Sequence, residues 1–162
     1  METPVEIRKL QNPPEAETCA SMMSGLEPWI TLQRDYDTSL KIITDPAREV
    51  YLALKDGEII GFTILVMHGA LVGYIQSICV APEWRNKGIG SQLMAFAEDR
   101  IFGESPNAFI MVSSFNPDAK RLYQRLGFEI VGELKDYIIL GHSEVLLRKS
   151  IAPLTEFEPN RK

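Results

Sequence analysis

Cysteine and histidine are scarce in this sequence, which contains two of each among its 162 residues. Cys19 and Cys79 are too few for the disulfide framework of a small secreted domain, and neither belongs to a C-x-x-C pair. His68 and His142 stand alone, without the partner histidines or acidic neighbours that a zinc site needs at helical spacing. We therefore expect two reduced thiols and no metal site.

Long hydrophobic runs and an excess of basic charge are missing as well. The longest apolar stretch, residues 59–67, is too short to cross a bilayer, and the first ten residues lack the pattern of a secretion signal. The 22 acidic residues outnumber the 17 basic ones, and the resulting net charge of −5 repels nucleic acid. These absences predict a soluble cytoplasmic protein that binds neither membrane nor nucleic acid and that holds any anionic ligand by local contacts.

The composition is typical of one globular domain. Hydrophobic residues make up 45 % of the chain and charged residues 24 %, which excludes collagen-like and strongly disordered classes. No internal repeat, low-complexity tract or linker divides the sequence. We expect a single domain at residues 5–150, with short tails at residues 1–4 and 153–162.

Turn-forming residues separate the strand patterns from the helix patterns. Asn12 and Asn116 are each followed by proline, which predicts helix starts with a side-chain cap. Asp56-Gly57 is the dipeptide favoured in type I′ hairpin turns. We predict strands at residues 5–10, 50–54, 58–67, 73–80, 108–114, 128–133 and 144–149. We predict helices at residues 13–24, 31–43, 88–102 and 117–126. This order mixes antiparallel hairpins with one βαβ crossover and predicts a mixed α/β (α+β) domain.

The segment from Val80 to Ser91 combines a strand end, a basic turn and a helix start. Such a turn presents unpaired N–H groups, the positive end of a helix dipole and the side chains of Arg85 and Lys87 to one point. Gly88 and Gly90 let the backbone approach a ligand without interference from a Cβ atom. The segment predicts a phosphate site, and a glycine turn with solvated charges is the alternative structural interpretation.

Two common nucleotide-binding motifs do not fit this segment. The dinucleotide fingerprint needs a third glycine where Leu93 stands, and an acidic residue about 20 positions on that residues 108–112 do not provide. The pattern G-x-x-x-x-G-K-[ST] is also absent. The segment therefore predicts a pyrophosphate site that follows neither of these two motifs.

Two motifs together resemble the GNAT superfamily of acyl-CoA-dependent N-acyltransferases. They are I-C-V-A-P-E-x-R-x-x-G-I-G at residues 78–90 and N-x-x-A-x-x-L-Y-x-x-x-G-F at residues 116–128. Within the superfamily the chain is similar to the bacterial branch that includes ribosomal-protein alanine N-acetyltransferases. The resemblance implies the GNAT fold, a mixed and mostly antiparallel sheet that splays in the middle, between the strands at Tyr74 and Phe109, with helices on both faces.

The resemblance also implies acetyl-CoA as the cosubstrate. The main chain of Val80 would pair with the pantetheine arm, and a bulge in the fourth strand would leave the Ile78 N–H free for the thioester carbonyl. Lys120, Arg121 and Arg125 would either reach the 3′-phosphate or stay solvated. The implied cofactor-binding residues are Ile78, Val80, Arg85, Asn86, Lys87, Gly88, Ile89, Gly90, Ser91, Asn116 and Tyr123.

Ile78 and Tyr123 are the implied catalytic residues. Tyr123 matches the family tyrosine that protonates the departing thiolate, a task suited to a phenol with a pKa near 10. Periodicity alone predicts instead a core tyrosine on the apolar face of its helix. Cys79 lies in a β-rich run with no cationic neighbour that would activate it, so we interpret it as a core residue rather than a nucleophile.

The sequence specifies the general base and the acceptor site less closely than the cofactor site. By family position, Trp29, Tyr74, Gln76 and His142 are expected near the acceptor. His142, Glu144 or a chain of water molecules could take the proton from the attacking amine.

The sequence thus predicts an acetyl-CoA-dependent N-acetyltransferase in which a primary amine attacks directly in a ternary complex. The acceptor is expected to be a protein or peptide N-terminus, with a small amine or polyamine as the alternative. A non-catalytic acyl-CoA-binding module is the alternative from outside the enzyme class. Whether the chain forms a homodimer is left open.

Overall fold

The computed structural model describes residues 2–160. In that part of the chain the helices are α1 (Pro13–Ser24), α2 (Tyr36–Thr44), α3 (Ile89–Phe102) and α4 (Pro117–Arg125). The strands are β1 (Glu6–Lys9), β2 (Glu49–Lys55), β3 (Glu58–Val66), β4 (Tyr74–Val80), β5 (Asn107–Ser113), β6 (Glu129–Lys135) and β7 (Ser143–Ser150). Single 3₁₀ turns occur at Pro82–Trp84 and Leu154–Glu156. The predicted order of strands and helices is confirmed.

Side-chain caps start α1 and α4 at the predicted positions. The Asn12 side chain accepts a hydrogen bond from the Glu15 N–H at 3.0 Å, and the Asn116 side chain accepts one from the Ala119 N–H at 3.4 Å. In both helices a proline follows the cap, where its missing N–H costs no hydrogen bond. These local signals therefore decide where the two helices begin.

The helix predicted at residues 31–43 begins later than expected. α2 starts at Tyr36, where the Asp35 carboxylate accepts a hydrogen bond from the Thr38 N–H at 2.9 Å. The preceding residues form turns that bury Trp29 and Leu32, and Gln33 has a φ of 57°. The prediction is wrong for residues 31–35 because burial of two apolar side chains and the Asp35 cap outweigh local helix propensity.

The seven strands of the described chain form one sheet in the order β1-β2-β3-β4-β5-β7-β6. Neighbouring strands are antiparallel except β4 and β5, which are parallel and are connected through α3. α1 and α2 pack on one face with residues such as Leu52 and Phe62. α3 and α4 pack on the other face with residues such as Ile75 and Ile110. The mixed sheet with helices on both faces is the predicted GNAT architecture.

The sheet splays between β4 and β5. These strands pair at only two positions, Tyr74 with Phe109 and Ile75 with Ile110. At their joined end the Phe109 N–H donates to the Gly73 carbonyl at 2.9 Å. Beyond Ile75 the strands separate, and the predicted opening in the middle of the sheet is confirmed.

A β-bulge in β4 lies immediately before the opening. The register pairs Ile64 with Ser77 but Leu65 with Ile75, which leaves Gln76 as the extra residue. A bulge bends its strand and increases the local twist. The bulge therefore directs the second half of β4 away from β5.

The residues that follow β7 run back to the end of α3. The Ile151 N–H donates to the Pro106 carbonyl at 2.9 Å, and the Asn160 N–H donates to the Gly103 carbonyl at 2.9 Å.

Within residues 2–160, no helix has the length and apolar content required to span a membrane.

Candidate active site

A groove of about 840 Å³ lies between the end of β4, the turn into α3, and α4. Most of the predicted cofactor-binding residues line it. They come from two segments around the two motifs, residues 78–91 and 115–125. The lining residues in those two segments are Ile78, Val80, Trp84, Arg85, Asn86, Gly88, Ile89, Gly90, Ser91, Phe115, Asn116, Asp118, Ala119, Arg121, Leu122, Tyr123 and Arg125. The groove also reaches Glu27, Pro28, Trp29 and Thr31.

The turn before α3 presents a row of free N–H groups to this groove. The first hydrogen bond of α3 runs from the Gln92 N–H to the Gly88 carbonyl at 3.0 Å. Within the described residues, none of the N–H groups of residues 86–91 donates to a backbone carbonyl or side chain. Asn86 and Gly88 have positive φ angles of 59° and 81°, which turn successive N–H groups towards one side. With the positive end of the α3 dipole, these groups fit the pyrophosphate of a nucleotide.

Three arginine side chains line the same groove. Arg85, Arg121 and Arg125 line the groove, and the Arg85 Nε atom lies 3.3 Å from the Val80 carbonyl oxygen. Lys87, which we expected in the site, is not among the described lining residues, and its ammonium lies 5.0 Å above the Trp84 ring. The cationic character of the groove therefore comes mainly from guanidinium groups.

The main chain of β4 directs hydrogen-bonding groups towards the opening in the sheet, where the Val80 carbonyl accepts a hydrogen bond from the Arg85 Nε at 3.3 Å. The Ala81 N–H donates to the Ile60 carbonyl at 2.9 Å, and in an antiparallel pair only alternate residues point their N–H and C=O groups at the partner strand. Ile78 and Val80 are therefore the residues whose main-chain groups point away from β3. Because β5 has separated from β4 after Ile75, the Ile78 N–H faces the opening.

Tyr123 lies at the wall of the groove nearest this opening. It is 8 % exposed, and its ring packs edge-on against Phe128 with centroids 6.3 Å apart. Burial raises the pKa of Tyr123 to about 12, because the phenolate would lose its hydration. The hydroxyl has no hydrogen-bond partner among the described residues and stays protonated at neutral pH, so it is available as a proton donor.

A second cavity, of about 100 Å³, lies on the other side of the opening. Its lining residues are Pro28, Trp29, Leu32, Arg34, Tyr74, Gln76, Ser77, Ile78, Ile110, Met111, Val112, Ser113, Asn116, Ala119, Tyr123, Ile138 and Glu144. Six of these residues, among them Ile78, Asn116 and Tyr123, also line the groove. The two cavities therefore meet at the splayed strands, and we call the smaller one the inner cavity.

The residues expected near an acceptor separate into two groups. Trp29, Tyr74 and Gln76 line the inner cavity. His142 lines neither cavity among the described residues, and its ring packs edge-on against Phe115 with centroids 4.9 Å apart. The structure thus brings together three of the four residues and leaves His142 outside.

Glu144 is the buried carboxylate of the inner cavity. It is 3 % exposed, and its Oε1 atom accepts a hydrogen bond from the Ser113 hydroxyl at 2.7 Å. Burial raises the pKa of Glu144, while the Ser113 hydrogen bond and the charge of Arg34 lower it by less. The carboxylate is a stronger base than a solvated one and is held in a fixed orientation.

Several lining residues were not predicted from the sequence. Arg34 lines the inner cavity, and in the groove Trp84 occupies a variable position of the first motif and Phe115 directly precedes the second. Arg34 falls within the helix predicted at residues 31–43, and that pattern gives no sign of a binding residue. Only the tertiary structure shows that these three side chains line the two cavities.

Both cysteines are buried away from the cavities. Cys79 is 1 % exposed and packs with Cys19 in the core beneath α1. Burial raises the pKa of Cys79 to about 12, so the thiolate that a covalent route would need is disfavoured. Among residues 2–160, no cluster of three or more histidine, cysteine, aspartate or glutamate side chains could hold a metal ion.

The arrangement of an anion-binding turn, a splayed sheet and a buried tyrosine agrees with a comparison against protein families. The model of the Acetyltransferase (GNAT) family matches residues 7–128, which is more than half of the chain. The chain belongs to the GNAT family. The match spans both motifs and both walls of the groove.

Relatives of this GNAT chain act on small molecules according to their names. An aminoalkylphosphonate N-acetyltransferase from Salmonella typhimurium is 36 % identical over 95 residues, which cover 54 % of this chain and 60 % of the relative. A mycothiol acetyltransferase from Streptomyces griseus is 32 % identical over 80 residues, which cover 48 % of this chain and 26 % of the relative. The chain therefore matches less than two thirds of the length of either relative.

The fold is shared with solved GNAT structures. An aminoglycoside 6′-N-acetyltransferase complexed with coenzyme A superimposes with a TM-score of 0.73 at 17 % identity. The superposition covers 91 % of this chain and 98 % of the other. At that identity the likeness concerns the fold.

Proposed function

We propose that this GNAT protein is an N-acetyltransferase that moves the acetyl group of acetyl-CoA to a primary amine by direct attack in a ternary complex. The observation that carries this proposal is the meeting of the groove and the inner cavity at Ile78 and Tyr123. A donor in the groove and an acceptor in the inner cavity would reach each other through the opening between β4 and β5.

The groove suits acetyl-CoA. The N–H groups of residues 86–91 and the Arg85 side chain would hold the pyrophosphate, and the main chain of Val80 would pair with the pantetheine arm as an added strand. Arg121 and Arg125 would face the 3′-phosphate, and Asn116 would lie near the pantetheine. Bound acetyl-CoA supplies an acetyl group activated as a thioester.

Two groups of the chain act on the reacting atoms. The Ile78 N–H donates to the thioester oxygen and stabilises the negative charge that develops there as the amine attacks. The new N–C bond forms as the C–S bond breaks, and the Tyr123 hydroxyl donates its proton to the departing sulfur. The acceptor ammonium loses two protons in all, one to a base before the attack and one as the amide forms, and the second balances the proton that Tyr123 has given to the sulfur.

Glu144 is the base that the geometry favours. It is the buried carboxylate of the inner cavity, and its raised pKa increases its affinity for a proton. His142, which was equally eligible from the sequence, packs on Phe115 outside the inner cavity. We propose that Glu144 binds the acceptor ammonium and accepts its proton directly or through water.

The size of the inner cavity favours a small amine as the acceptor. A protein N-terminus, the acceptor expected from the sequence, would need an open approach for a peptide. A cavity of about 100 Å³ is smaller than the 300–1,000 Å³ typical of drug-sized ligands. The relatives' names, aminoalkylphosphonate and mycothiol acetyltransferases, also favour small acceptors.

Thiol release from acetyl-CoA tests the activity. The protein is mixed with acetyl-CoA and a panel of primary amines and peptides with free N-termini, and free coenzyme A is measured. Acceptor-dependent release supports the transferase. Coenzyme A binding by calorimetry without release for any acceptor would instead support a non-catalytic binding module.

Tyr123→Phe tests the proton donor. We expect kcat to fall by about 10²-fold, since a positioned general acid contributes 10²–10⁴-fold, while the Kd for coenzyme A stays nearly constant. Tyr51→Phe is the matched control because the Tyr51 hydroxyl donates to Glu49 and does not line either cavity. An unchanged kcat for Tyr123→Phe would remove Tyr123 as the acid.

A further inference from the structure

We infer that the acceptor is a zwitterion, a short primary amine that carries an anionic group such as a carboxylate or a phosphonate. This inference rests on the proposed function and concerns its acceptor site. In it, Glu144 receives the ammonium and Arg34 receives the anionic group. The basis is that both side chains line the inner cavity.

Arg34 is a cation without a carboxylate partner in the described residues. It is partly buried, and no described side chain forms an ion pair or hydrogen bond with its guanidinium. The neighbouring Asp35 carboxylate is engaged by the Thr38 N–H at 2.9 Å. A guanidinium in a narrow cavity loses part of its hydration, and an anion of matching geometry recovers that loss through paired hydrogen bonds.

The position of Arg34 is set by its backbone. The Arg34 N–H donates to the Trp29 carbonyl at 2.9 Å, and Trp29 and Leu32 in the same turn are buried. The buried turn fixes where the Arg34 side chain begins. The partly buried side chain starts from this fixed position and lines the inner cavity.

Arg34 and Glu144 create fields of opposite sign in the inner cavity. Burial is the main cause of the raised pKa of Tyr74, which lies in the lining with them, and among the smaller causes Arg34 lowers that pKa and Glu144 raises it. Arg48, the other nearby cation, already pairs with Asp45 and donates to the Gln76 side chain at 2.7 Å. Arg34 is therefore the cation of the described lining that is left for a ligand.

This charge pattern discriminates between classes of amine. A diamine or polyamine would bring a second ammonium towards Arg34, and the repulsion would weaken its binding. A primary amine without an anionic group would leave the Arg34 guanidinium unpaired in the inner cavity. A short amino acid or aminophosphonate would satisfy both charges at once.

A series of acceptors matched in length tests the inference. We would measure kcat/KM for propylamine, 1,3-diaminopropane, β-alanine and 2-aminoethylphosphonate. We expect the two anionic amines to exceed propylamine by about 10–100-fold, which corresponds to one charged hydrogen-bonded contact, and diaminopropane to be the poorest. The carboxylate and phosphonate arms identify which anion the site prefers.

Arg34 variants connect the preference to this side chain. Arg34→Met should remove the advantage of the anionic amines over propylamine, while Arg34→Glu should reverse the preference in favour of diaminopropane. Arg148→Met is the matched control, since Arg148 is exposed on β7 and lines neither cavity. Reversal by charge is an effect that a merely structural role of Arg34 would not produce.

The failures of the two proposals are distinguishable. Equal kcat/KM values across the four amines, or a preference that survives Arg34→Glu, would overturn the zwitterion inference while the transferase activity stands. Absence of thiol release with every amine and peptide, in protein that still binds coenzyme A, would overturn the proposed function itself.

Discussion

Burial raises the pKa values of both Tyr123 and Glu144, but the chemical consequences for the two residues differ. In both side chains the anion is penalised by loss of hydration, so both pKa values are raised. For the tyrosine this keeps the hydroxyl protonated but makes it a weaker acid than a solvated phenol. For the glutamate it strengthens a base that is still ionised when its pKa lies below the working pH.

Glu144→Gln should separate activity from stability. Because the deprotonated carboxylate is the reactive form, kcat/KM should rise with pH through the raised pKa of Glu144, and the variant should lose this acidic limb together with about 10²-fold in rate. The pKa of Glu144 is higher in the folded than in the unfolded chain, so folding stability falls as pH rises through that interval and remains reduced above it. The variant should therefore melt at a higher temperature than the parent near neutral pH.

The matched control for this prediction is Glu133→Gln. Glu133 is exposed on β6 and lines neither cavity, so its replacement should change neither the pH profile of kcat/KM nor the melting temperature. Thermal melts and initial rates over a pH series measure both effects. A Glu144→Gln protein with the parent's rate and acidic limb would exclude Glu144 as the base.

At the scale of elements, the turn into α3 combines an unusual backbone conformation with an anion site. Gly88 has a φ of 81°, and a Cβ atom there would meet no other atom within 4 Å. Steric crowding within the protein is therefore not the reason for glycine at this position. The reason is the left-handed backbone conformation and the space that a ligand would take.

Gly88→Asp should weaken coenzyme A binding by at least about 10-fold, because it adds a negative charge among N–H groups that would hold a pyrophosphate. Gly57→Asp provides a close control, since Gly57 has a φ of 80° and equally open surroundings in the β2–β3 hairpin. Both variants should lose about 1 kcal/mol of stability from the backbone strain. Calorimetric affinities that fall equally in the two variants would contradict the anion site.

The joined end of β4 and β5 depends on a close approach of backbones at Gly73. A Cβ atom there would lie 2.3 Å from the Asn107 carbonyl oxygen, and its φ is 92°. Gly73→Ala should cost about 2–4 kcal/mol, from overpacking together with the positive φ. Gly132→Ala, on β6 with no atom within 4 Å of the added Cβ, should change stability by less than about 1 kcal/mol. Equal denaturation midpoints for the two variants would show that the backbones at Gly73 and Asn107 leave room for a Cβ atom.

At the scale of the whole molecule, a net charge of −5 opposes binding of an anionic ligand. The local field of the α3 terminus and the groove arginines must outweigh this repulsion. Because coenzyme A would bind the folded chain alone, it should stabilise the fold by about 2.7 kcal/mol at 100 times its Kd. For a chain of this size that corresponds to a rise of about 5–10 °C in Tm.

A thermal melt with and without coenzyme A measures this stabilisation. Gly88→Asp protein at the same ligand concentration should show a smaller rise, because the groove is the proposed binding site. No rise in the parent protein at millimolar coenzyme A would contradict binding to the folded state.

Much of the architecture could be predicted because its signals are local. The Asn12 and Asn116 caps, the Asp56-Gly57 turn and the glycine turn before α3 act over a few residues, and the structure has them where they were predicted. The late start of α2 could not be predicted in the same way. It depends on the burial of Leu32 and on Trp29 packing into a core that residues distant in the chain complete.

The amino-acid sequence by itself determined the order of strands and helices, the turn that gathers N–H groups, and the two GNAT motifs, because each of these depends on neighbouring residues. Tertiary structure alone decided which side chains face one another across the opening. It brought Arg34 and Glu144 into one cavity and left His142 outside, although His142 and Glu144 are near neighbours in the chain. The physical reason is that cavity walls come from separate elements, and their meeting is set by the packing of the whole sheet.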